Sequence, residues 1–364
     1  MTDWAASGRR DTYRVKAVDP FTLQEICELD ADLSSCTLTF GYYTTNKAEA
    51  DITLVNCSHV QEGLVCLVRV EHDVTLPDGT VESEVLGTFF VDKSPRNMKD
   101  DIEEKKLTCY STMWRLSKDA LDADFVRKSG TTCEGGIRSL IESVGGTLIT
   151  SAEVNSAKVH TKDVYFQCGL NRLEVLNEYC GWCNWQLNVD DYGRQVLTEY
   201  IPPSSRAVSF VFEDGVNCIY LPEMDETYTG DVYNRVIARW SRENLPDNSD
   251  PTYSWGLSGK YVANAPRESE FSFDRCGRYI TAVLEINEPT ASADLQAAAE
   301  QYLAEHSAAT RYFVIQHVGV PHLRCGMTVD FIHGDEAFFC EVTQMEMYGL
   351  EPLNITETKL KVIA

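Results

Sequence analysis

The sequence lacks the features that define several common classes of protein. It contains no run of about 18 apolar residues, the length that a membrane-spanning helix needs. The start of the chain, Met1-Thr-Asp-Trp-Ala-Ala6, lacks the basic and then apolar pattern of a signal peptide, so we expect a protein made and first used in a cytosol. GxSxG, P-loop and HExxH motifs are also missing, so the sequence offers no common hydrolase or nucleotide-binding signature.

Basic residues are scarce relative to acidic ones. The chain has 32 Lys and Arg against 56 Asp and Glu, which gives a formal net charge of −24. Tight non-specific binding to DNA needs a basic surface that releases counterions, so this composition argues against it. Acidity can simply maintain solubility, and it also suits a surface past which DNA moves without sticking.

What is present indicates folded domains. Apolar residues make up 43% of the 364 residues and only 12 are proline, so the chain can build proper cores. At this length we expect about two to four domains. The 13 cysteines are odd in number and scattered singly, which in a chain without an export signal favours buried free thiols over disulfides.

The first hundred or so residues alternate like strands and are punctuated by turns. We predict an opening hairpin and further strands in the segments Tyr13–Val18, Leu23–Ile26, Leu33–Phe40, Ala50–Val55, Gly63–Val70 and Leu86–Val91. Asp92–Glu104 is polar and predicts an excursion at the rim of a sheet, after which Lys106–Tyr110 returns as a half-buried strand. Short, closely spaced strands of this kind indicate a small antiparallel barrel or sandwich.

The period of the pattern changes after Ser111. Apolar residues from Ile137 to Val144 recur at helical spacing and stop at Gly145, and a second helix ends near Gly181. Trp185–Val189 and Gln195–Thr198 predict a hairpin, and the linker-like Pro202–Ser205 follows. Beyond it we predict a helix at Asp294–His306. We also predict strands at Val208–Phe212, Val232–Trp240, Tyr312–Gln316, Thr328–Ile332, Phe338–Met345 and Thr358–Ile363.

Three pieces of the first region have counterparts near the C-terminus, in the same order and at comparable spacing. The pairs are Gly63–Val68 with Gly326–Phe331, Phe89–Val91 with Phe338–Cys340, and Glu104–Cys109 with Glu357–Val362. We therefore predict two copies of one barrel that superpose. The fold class is mainly β, with two similar small antiparallel β-barrels separated by a helix-containing α+β domain. The expected domains are 1–110, 111–204 and 205–364, the last with a helical insertion near 292–307.

No group of residues gives a convincing catalytic, cofactor-binding or metal site. Cys180-Gly-Trp-Cys183 has redox spacing but lies at the C-terminus of a helix, where the dipole disfavours a thiolate, so we expect both cysteines to pack. The set His317, His322, Cys325 and His333 matches no ordinary zinc spacing. Asp190-Asp191 fits a turn better than an acid/base pair, and Gly135-Gly136 fits a tight turn better than an anion site. We expect no enzyme activity and no cofactor.

Several motifs resemble bacteriophage tail hub proteins, the late-control D family and the N-terminal part of tail-associated Tal proteins. The resemblance rests on the strand Gly87–Val91, the segment Leu107–Leu116, the helix-and-hairpin pattern with Trp185, Leu187, Val189, Gly193 and Val196, the strand Val232–Trp240, and the loop Val320–Gly326. It covers most of the chain in the family's order.

The resemblance implies a structural protein of the virion tail tip or baseplate hub that is assembled in the host cytoplasm. It implies a homotrimer whose two barrels per subunit form a ring of six similar domains between a sixfold tail tube and a threefold tip. Implied partners are the distal tail or tube protein, the tape-measure C-terminus and tip or receptor-binding proteins, with transient passage of DNA during genome ejection and no stable membrane insertion. The sequence ends at Ala364, so we expect any wall-degrading activity in another chain.

Two other hypotheses stay open at this point. One is a cytosolic thiol oxidoreductase that uses Cys180 and Cys183, or a small hydrolase. The other is a carbohydrate-binding β-protein, which would need an exposed row of Trp182, Trp185 and Tyr192. For a trimeric ring we also expect carboxylates to outnumber basic side chains along the channel, with Asp92–Lys106 and Glu243–Asp250 as candidate rims and interfaces.

Overall fold

The computed structural model describes residues 8–55, 67–93, 96–99, 102–160, 163–228, 232–241, 258–286, 292–307, 309–352 and 354–363. They divide into two compact units, one made of residues before 224 and after 312, and one made of residues 224–312. The fold is mainly β with a helix-containing insert, as the sequence predicts. Among the described residues, no helix has the length and apolar character needed to cross a membrane.

The first part of the chain forms an antiparallel sheet, here called the first β-module. Its strands are β1 (Arg10–Val18), β2 (Glu25–Leu29), β3 (Thr37–Gly41), β4 (Ala48–Val55), β5 (Leu67–Thr75), β6 (Val81–Lys93), β7 (Arg96–Lys99) and β8 (Ile102–Ser111). The hydrogen-bonded order is β2-β1-β5-β6-β8-β4-β3, and β7 pairs with β8. Alternate side chains such as Val15, Ile52 and Phe89 point into one core because successive residues of a strand face opposite sides.

Two details of this module differ from the sequence prediction. The returning strand of the opening hairpin is Glu25–Leu29, because Leu23 has a φ of 58° and belongs to the turn. The polar excursion is largely a hairpin, since Arg96–Lys99 pairs with Ile102–Lys105. Backbone hydrogen bonds need no apolar side chains, so periodicity could not reveal this pairing.

The middle of the chain forms the insert. Its elements are α1 (Met113–Ser117), β9 (Phe125–Arg127), α2 (Cys133–Glu142), β10 (Leu148–Thr150), β11 (Val164–Phe166), α3 (Arg172–Trp182), β12 (Trp185–Val189) and β13 (Gln195–Glu199). The helices pack with the three-stranded sheet β10-β13-β12 around Tyr179, Leu176 and Ile141, all fully buried. Asn171 caps α3 by accepting hydrogen bonds from the amides of Leu173 and Glu174.

The last part of the chain holds a second group of strands and a separate unit. Its elements are β14 (Val208–Glu213), β15 (Ile219–Tyr220), β16 (Glu226–Tyr228), β17 (Arg235–Ser241), β18 (Ser258–Asn264), α4 (Phe273–Cys276), β19 (Thr281–Ile286), α5 (Ser292–His306), β20 (Thr310–Val318), β21 (Thr328–His333), β22 (Glu336–Tyr348) and β23 (Ile355–Val362). Strands β14, β15 and β20–β23 are here called the second β-module. Phe212, Phe313 and Phe331 lie in its core.

The two modules share a strand order. The second runs β14-β21-β22-β23-β20-β15, which matches β1-β5-β6-β8-β4-β3 of the first in both chain order and pairing order. The expectation of purely antiparallel strands is wrong at one position: β14 pairs with β21 in parallel, whereas β1 pairs with β5 antiparallel. Superposition of the modules stays a prediction, and Gly63–Cys66 lies outside the described residues. β22 also pairs with β3, so both modules belong to one sheet.

Residues 224–312 form more than an inserted helix. Strands β17, β18 and β19 make a sheet of their own, in which β17 and β19 are parallel, and α5 packs with them. Leu295, Ala299 and Leu303 on α5 meet Val236 and Ala238 on β17. The helix lies at Ser292–His306, close to the position predicted from its apolar stripe. Of the three strands in the sheet that the helix covers, β17 corresponds to the predicted strand Val232–Trp240, whereas β18 and β19 were not predicted.

Candidate functional site

The cysteine motif is part of a packed core. Cys180 lies in the last turn of α3 and Cys183 follows the helix, and both are buried. Burial raises the pKa of each thiol to about 12. The reactive form of cysteine is the thiolate, so both side chains are poor nucleophiles at neutral pH. The environment therefore gives no support to the oxidoreductase hypothesis.

The histidines near the C-terminus point to separate partners. His317 is buried with its Nε2 2.9 Å from the Thr358 hydroxyl, His333 contacts Asp214 at 2.9 Å, and His322 is exposed. Across the described parts of the chain, no group of three or more His, Cys, Asp and Glu side chains is arranged to hold a metal ion. The absence of a metal stays a prediction for elemental analysis.

The aromatic row that carbohydrate binding would need does not form. Trp185 is buried, while Trp182 stacks on Phe166 with ring centroids 5.2 Å apart. Tyr192 is exposed but contacts two arginines, with the guanidinium carbons of Arg69 and Arg194 5.2 and 5.3 Å from its ring centroid. The Trp185 ring, on β12, packs in the core of the insert, so the middle member of the predicted row is not available at the surface.

The neighbouring carboxylates Asp190 and Asp191 also serve separate contacts. Asp190 accepts hydrogen bonds from the backbone amide and the side chain of Arg194 at 2.8 and 2.7 Å. Asp191 accepts from Nε of Arg324 at 3.0 Å to both oxygens. The two side chains thus do not share a proton or a substrate position. Gly136 lies in α2 against Tyr179 and has a packing role.

Arg324 connects three parts of the larger unit. It lies in the loop between β20 and β21, and its contact with Asp191 reaches the β12–β13 hairpin of the insert. The same guanidinium donates to the carbonyl of Val85 on β6 at 3.1 Å and to that of Pro321 at 2.5 Å. One side chain therefore fixes the insert against both β-modules. Sequence periodicity gives no signal for it.

A second arginine holds the connection out of the insert. Arg206 follows Pro202–Ser205 and donates to Glu341 at 2.8 Å and to the carbonyl of Gly326 at 2.7 Å. The Glu341 side chain is fully buried on β22, and the Tyr43 hydroxyl donates to its other oxygen at 2.5 Å. We call Tyr43, Asp191, Arg206, Arg324 and Glu341 the polar junction. The charged and polar groups of the polar junction are paired with one another, so their role is to hold the parts of the larger unit in position.

Comparison with solved structures identifies the fold. The chain matches a tail protein from Neisseria meningitidis with a TM-score of 0.62 and 13% identity, covering 96% of each chain. A prophage tail protein from Shewanella oneidensis gives 0.61 and 10% identity, covering 96% of this chain and 97% of that one. One from Listeria monocytogenes gives 0.58 and 11% identity, with 96% and 94% covered.

The chain has the fold of bacteriophage tail proteins. The resemblance inferred from the segments around Gly87, Leu107 and Trp185 is confirmed at the level of fold. No protein-family model matches the sequence, and no curated protein sequence matches it. The similarity to tail proteins is therefore a similarity of fold over nearly the whole chain, at a sequence identity of 10–13%.

Buried His317 makes the stability of this tail-protein fold depend on pH. Burial lowers its pKa from 6.5 to about 4. The unfolded chain then binds more protons than the folded chain between these values, so stability falls as the pH drops from 6.5 toward 4. Between pH 7.5 and 5.5 we expect His317 to account for a loss of about 1–1.5 kcal/mol in the free energy of unfolding. Urea unfolding at both pH values measures it.

The matched variant for this test is His317→Gln, which keeps a donor and an acceptor but does not titrate. It should show a pH difference smaller than that of the natural protein by the same amount. An equal pH difference in the two proteins would mean that His317 is not the titrating group.

Proposed function

We propose that the chain is a structural hub protein at the distal end of a phage or phage-like tail. The observation that carries this proposal is the match to tail proteins along 94–97% of their length as well as 96% of this chain. Because the match extends over nearly the full length of this chain and of the tail proteins, the whole architecture is similar, and not one common domain alone. The hub role has no catalytic step, in keeping with the buried thiols and the paired carboxylates described above.

We further propose that three copies form a ring. Each chain contributes two β-modules of the same strand order, so three chains present six similar modules. Such a ring can contact a sixfold tube on one side through its modules and a threefold tip on the other through its chains. Contact with a sixfold tube would explain why one chain carries the same arrangement of strands twice.

The two ends of the sheet support association with further copies. Strand β2 lies at one end and β15 at the other. Exposed apolar side chains flank both: Phe21 is 76% and Ile26 57% exposed near β2, and Val216 is 67% and Ile219 62% exposed near β15. A ring closes through contact between two different surfaces of neighbouring subunits, and open strand edges with apolar side chains suit such contact.

The oligomeric mass of the purified chain tests the ring. The chain is 40.9 kDa, so light scattering coupled to size exclusion should give about three times that mass. Replacing Phe21 and Ile26 with Ser should shift the protein toward the monomer, whereas the same change at Val126 and Tyr165, exposed on the paired strands β9 and β11 of the insert, should not. A stable monomer or dimer at high micromolar concentration would contradict the trimer.

The remaining parts of the proposal concern location and partners. A hub at the virion tail tip, assembled in the host cytoplasm, would contact the distal tail or tube protein, the tape-measure C-terminus and the tip proteins. DNA would cross the ring during genome ejection, and the net charge of −24 supports a lumen from which DNA is repelled. Of the candidate rim segments, Glu243–Asp250 lies outside the described residues, and Asp92–Lys106 is described only in part.

A further inference from the structure

A cavity of about 260 Å³ lies beside the polar junction and contains a lysine with no acidic partner. Its walls come from β3, β4, β6 and the β12–β13 hairpin, and include Phe40, Leu86, Phe89 and Val189. Lys47, which immediately precedes β4, lines the cavity. Within the described part of the chain, the Lys47 ammonium makes one hydrogen bond, to the Tyr42 carbonyl at 2.5 Å, and has no salt bridge.

The other charges around the cavity already neutralise one another. Asp191 pairs with Arg324, and Asp190 pairs with Arg194. The guanidinium of Arg324 is also saturated by the carbonyls of Val85, Pro321 and Leu323. Cys325 lines the same cavity, and burial raises the pKa of its thiol to about 12, so it stays neutral. Among the charged side chains that line the cavity, Lys47 is thus the one without an oppositely charged partner, and its ammonium lies 5.3 Å from the centroid of the Tyr42 ring.

The backbone holds this lysine in an uncommon conformation. Lys47 has a φ of 62°, in the left-handed region that side chains other than glycine seldom adopt. Such strain persists when the surroundings determine the conformation, and it concentrates at functional positions. Here Gly41 and Lys47 are joined by a backbone hydrogen bond of 2.8 Å, which closes the β3–β4 turn around the amine.

A second polar group lines the cavity without a partner. The side-chain amide of Asn188 on β12 forms no hydrogen bond with any other described residue. Asn188 lines both this cavity and a neighbouring cleft of about 410 Å³. An ammonium and an amide N–H are both donors, and carboxylate oxygens are acceptors only. An ammonium with N–H groups left beyond its bond to Tyr42, an amide donor and apolar walls together are typical of a small-ligand site.

We propose that this cavity binds a carboxylate group carried on a short apolar stem, with Lys47 as the charged contact and Asn188 as a second donor. The stem can belong to a small organic acid or to the end of a polypeptide chain. The site is independent of the trimeric ring, since every residue that builds it belongs to one chain. The half-buried ammonium of Lys47 would gain from an anion, because a charge-assisted hydrogen bond is about twice as strong as a neutral one.

Calorimetric titration of the full chain with matched probes tests the site. N-acetyl-leucine carries the carboxylate and an apolar stem, and N-acetyl-leucinamide has the same stem without the charge. We expect the acid to bind at least about tenfold more tightly than the amide, and acetate, which lacks the stem, to bind more weakly than N-acetyl-leucine. The dipeptide Ala-Leu, with a free C-terminus, distinguishes the two sources of the carboxylate. If the site takes the end of a polypeptide chain, Ala-Leu should bind at least as tightly as N-acetyl-leucine. If the site takes only a small organic acid, N-acetyl-leucine should bind and Ala-Leu should not.

Variants assign the effect to Lys47. Lys47→Met keeps the stem and removes the charge, and Lys47→Gly removes the side chain while accepting the left-handed φ. Both should weaken N-acetyl-leucine by at least about tenfold. Lys128→Met, at an exposed lysine paired with Asp163, should change nothing. Absence of binding to the natural protein, equal binding of acid and amide, or unchanged binding to both folded Lys47 variants would each overturn the proposal.

Discussion

Replacing Arg206 with Met is expected to lower the free energy of unfolding of the larger unit by about 3–5 kcal/mol. The substitution leaves the carboxylate of Glu341 without its cation, and that side chain is fully buried. An isolated charge in a protein interior loses its hydration and gains nothing in return, which is why breaking a buried pair costs much more than the pair contributes. Guanidinium unfolding followed by circular dichroism measures the change.

The double variant separates pairing from packing. Adding Glu341→Gln to Arg206→Met removes the orphaned charge, while Tyr43 keeps a hydrogen-bonding partner at that position. We expect the double variant to recover more than half of the stability lost in the single one. As a control, Arg239→Met breaks an exposed pair with Glu285 and should cost no more than about 1 kcal/mol. A similar small cost at Arg206 would show that the polar junction is not a structural restraint.

The second large effect is expected at Gly136. A Cβ placed there would lie 2.1 Å from the Tyr179 hydroxyl and 2.7 Å from its ring. Tyr179 cannot move easily, because its side chain is fully buried and its hydroxyl contacts His160. We therefore expect Gly136→Ala to cost about 2–3 kcal/mol, the upper part of the usual range for overpacking a core. Thermal and denaturant unfolding of the variant check the prediction.

Gly181 provides the matched control, since it also lies in a helix of the insert. A Cβ at this position meets nothing within 4 Å, and Gly181 is not among the glycines with a positive φ. Gly181→Ala should therefore be neutral or stabilise the protein by up to about 1 kcal/mol, because alanine favours a helix over glycine. Equal costs at the two glycines would contradict the packing role assigned to Gly136.

Much of the fold could be predicted from the sequence where a local pattern decided the structure. The strand around Phe89 is rich in aromatic and β-branched residues, the stripe from Ile137 to Val144 has helical spacing, and the helix at Ser292–His306 buries one apolar face. The strand order that the two modules share is also visible in the sequence. Phe89–Phe90 and Phe338–Phe339 lie in β6 and β22, which occupy equivalent positions in the strand orders of the two modules. These features depend on neighbours in the chain.

The missed features depend on residues that are distant in the sequence. The parallel pairing of β14 with β21 joins segments more than a hundred residues apart, and neither strand shows in its own pattern which direction its partner runs. Arg324 and Asp191 are likewise ordinary charged residues until the fold brings them together. Lys47 gave no signal either, because a solvated lysine and a lysine in a cavity look the same in a sequence.

Electron cryo-microscopy of the purified oligomer tests the central proposal most directly. The hub account predicts a closed ring with threefold symmetry around an open channel, in which six modules of similar shape alternate between the first and the second β-module. Particles purified from an infected host should show the same ring at the distal end of the tail. A monomer, an open filament, a ring of another symmetry, or a location away from the tail end would contradict the account.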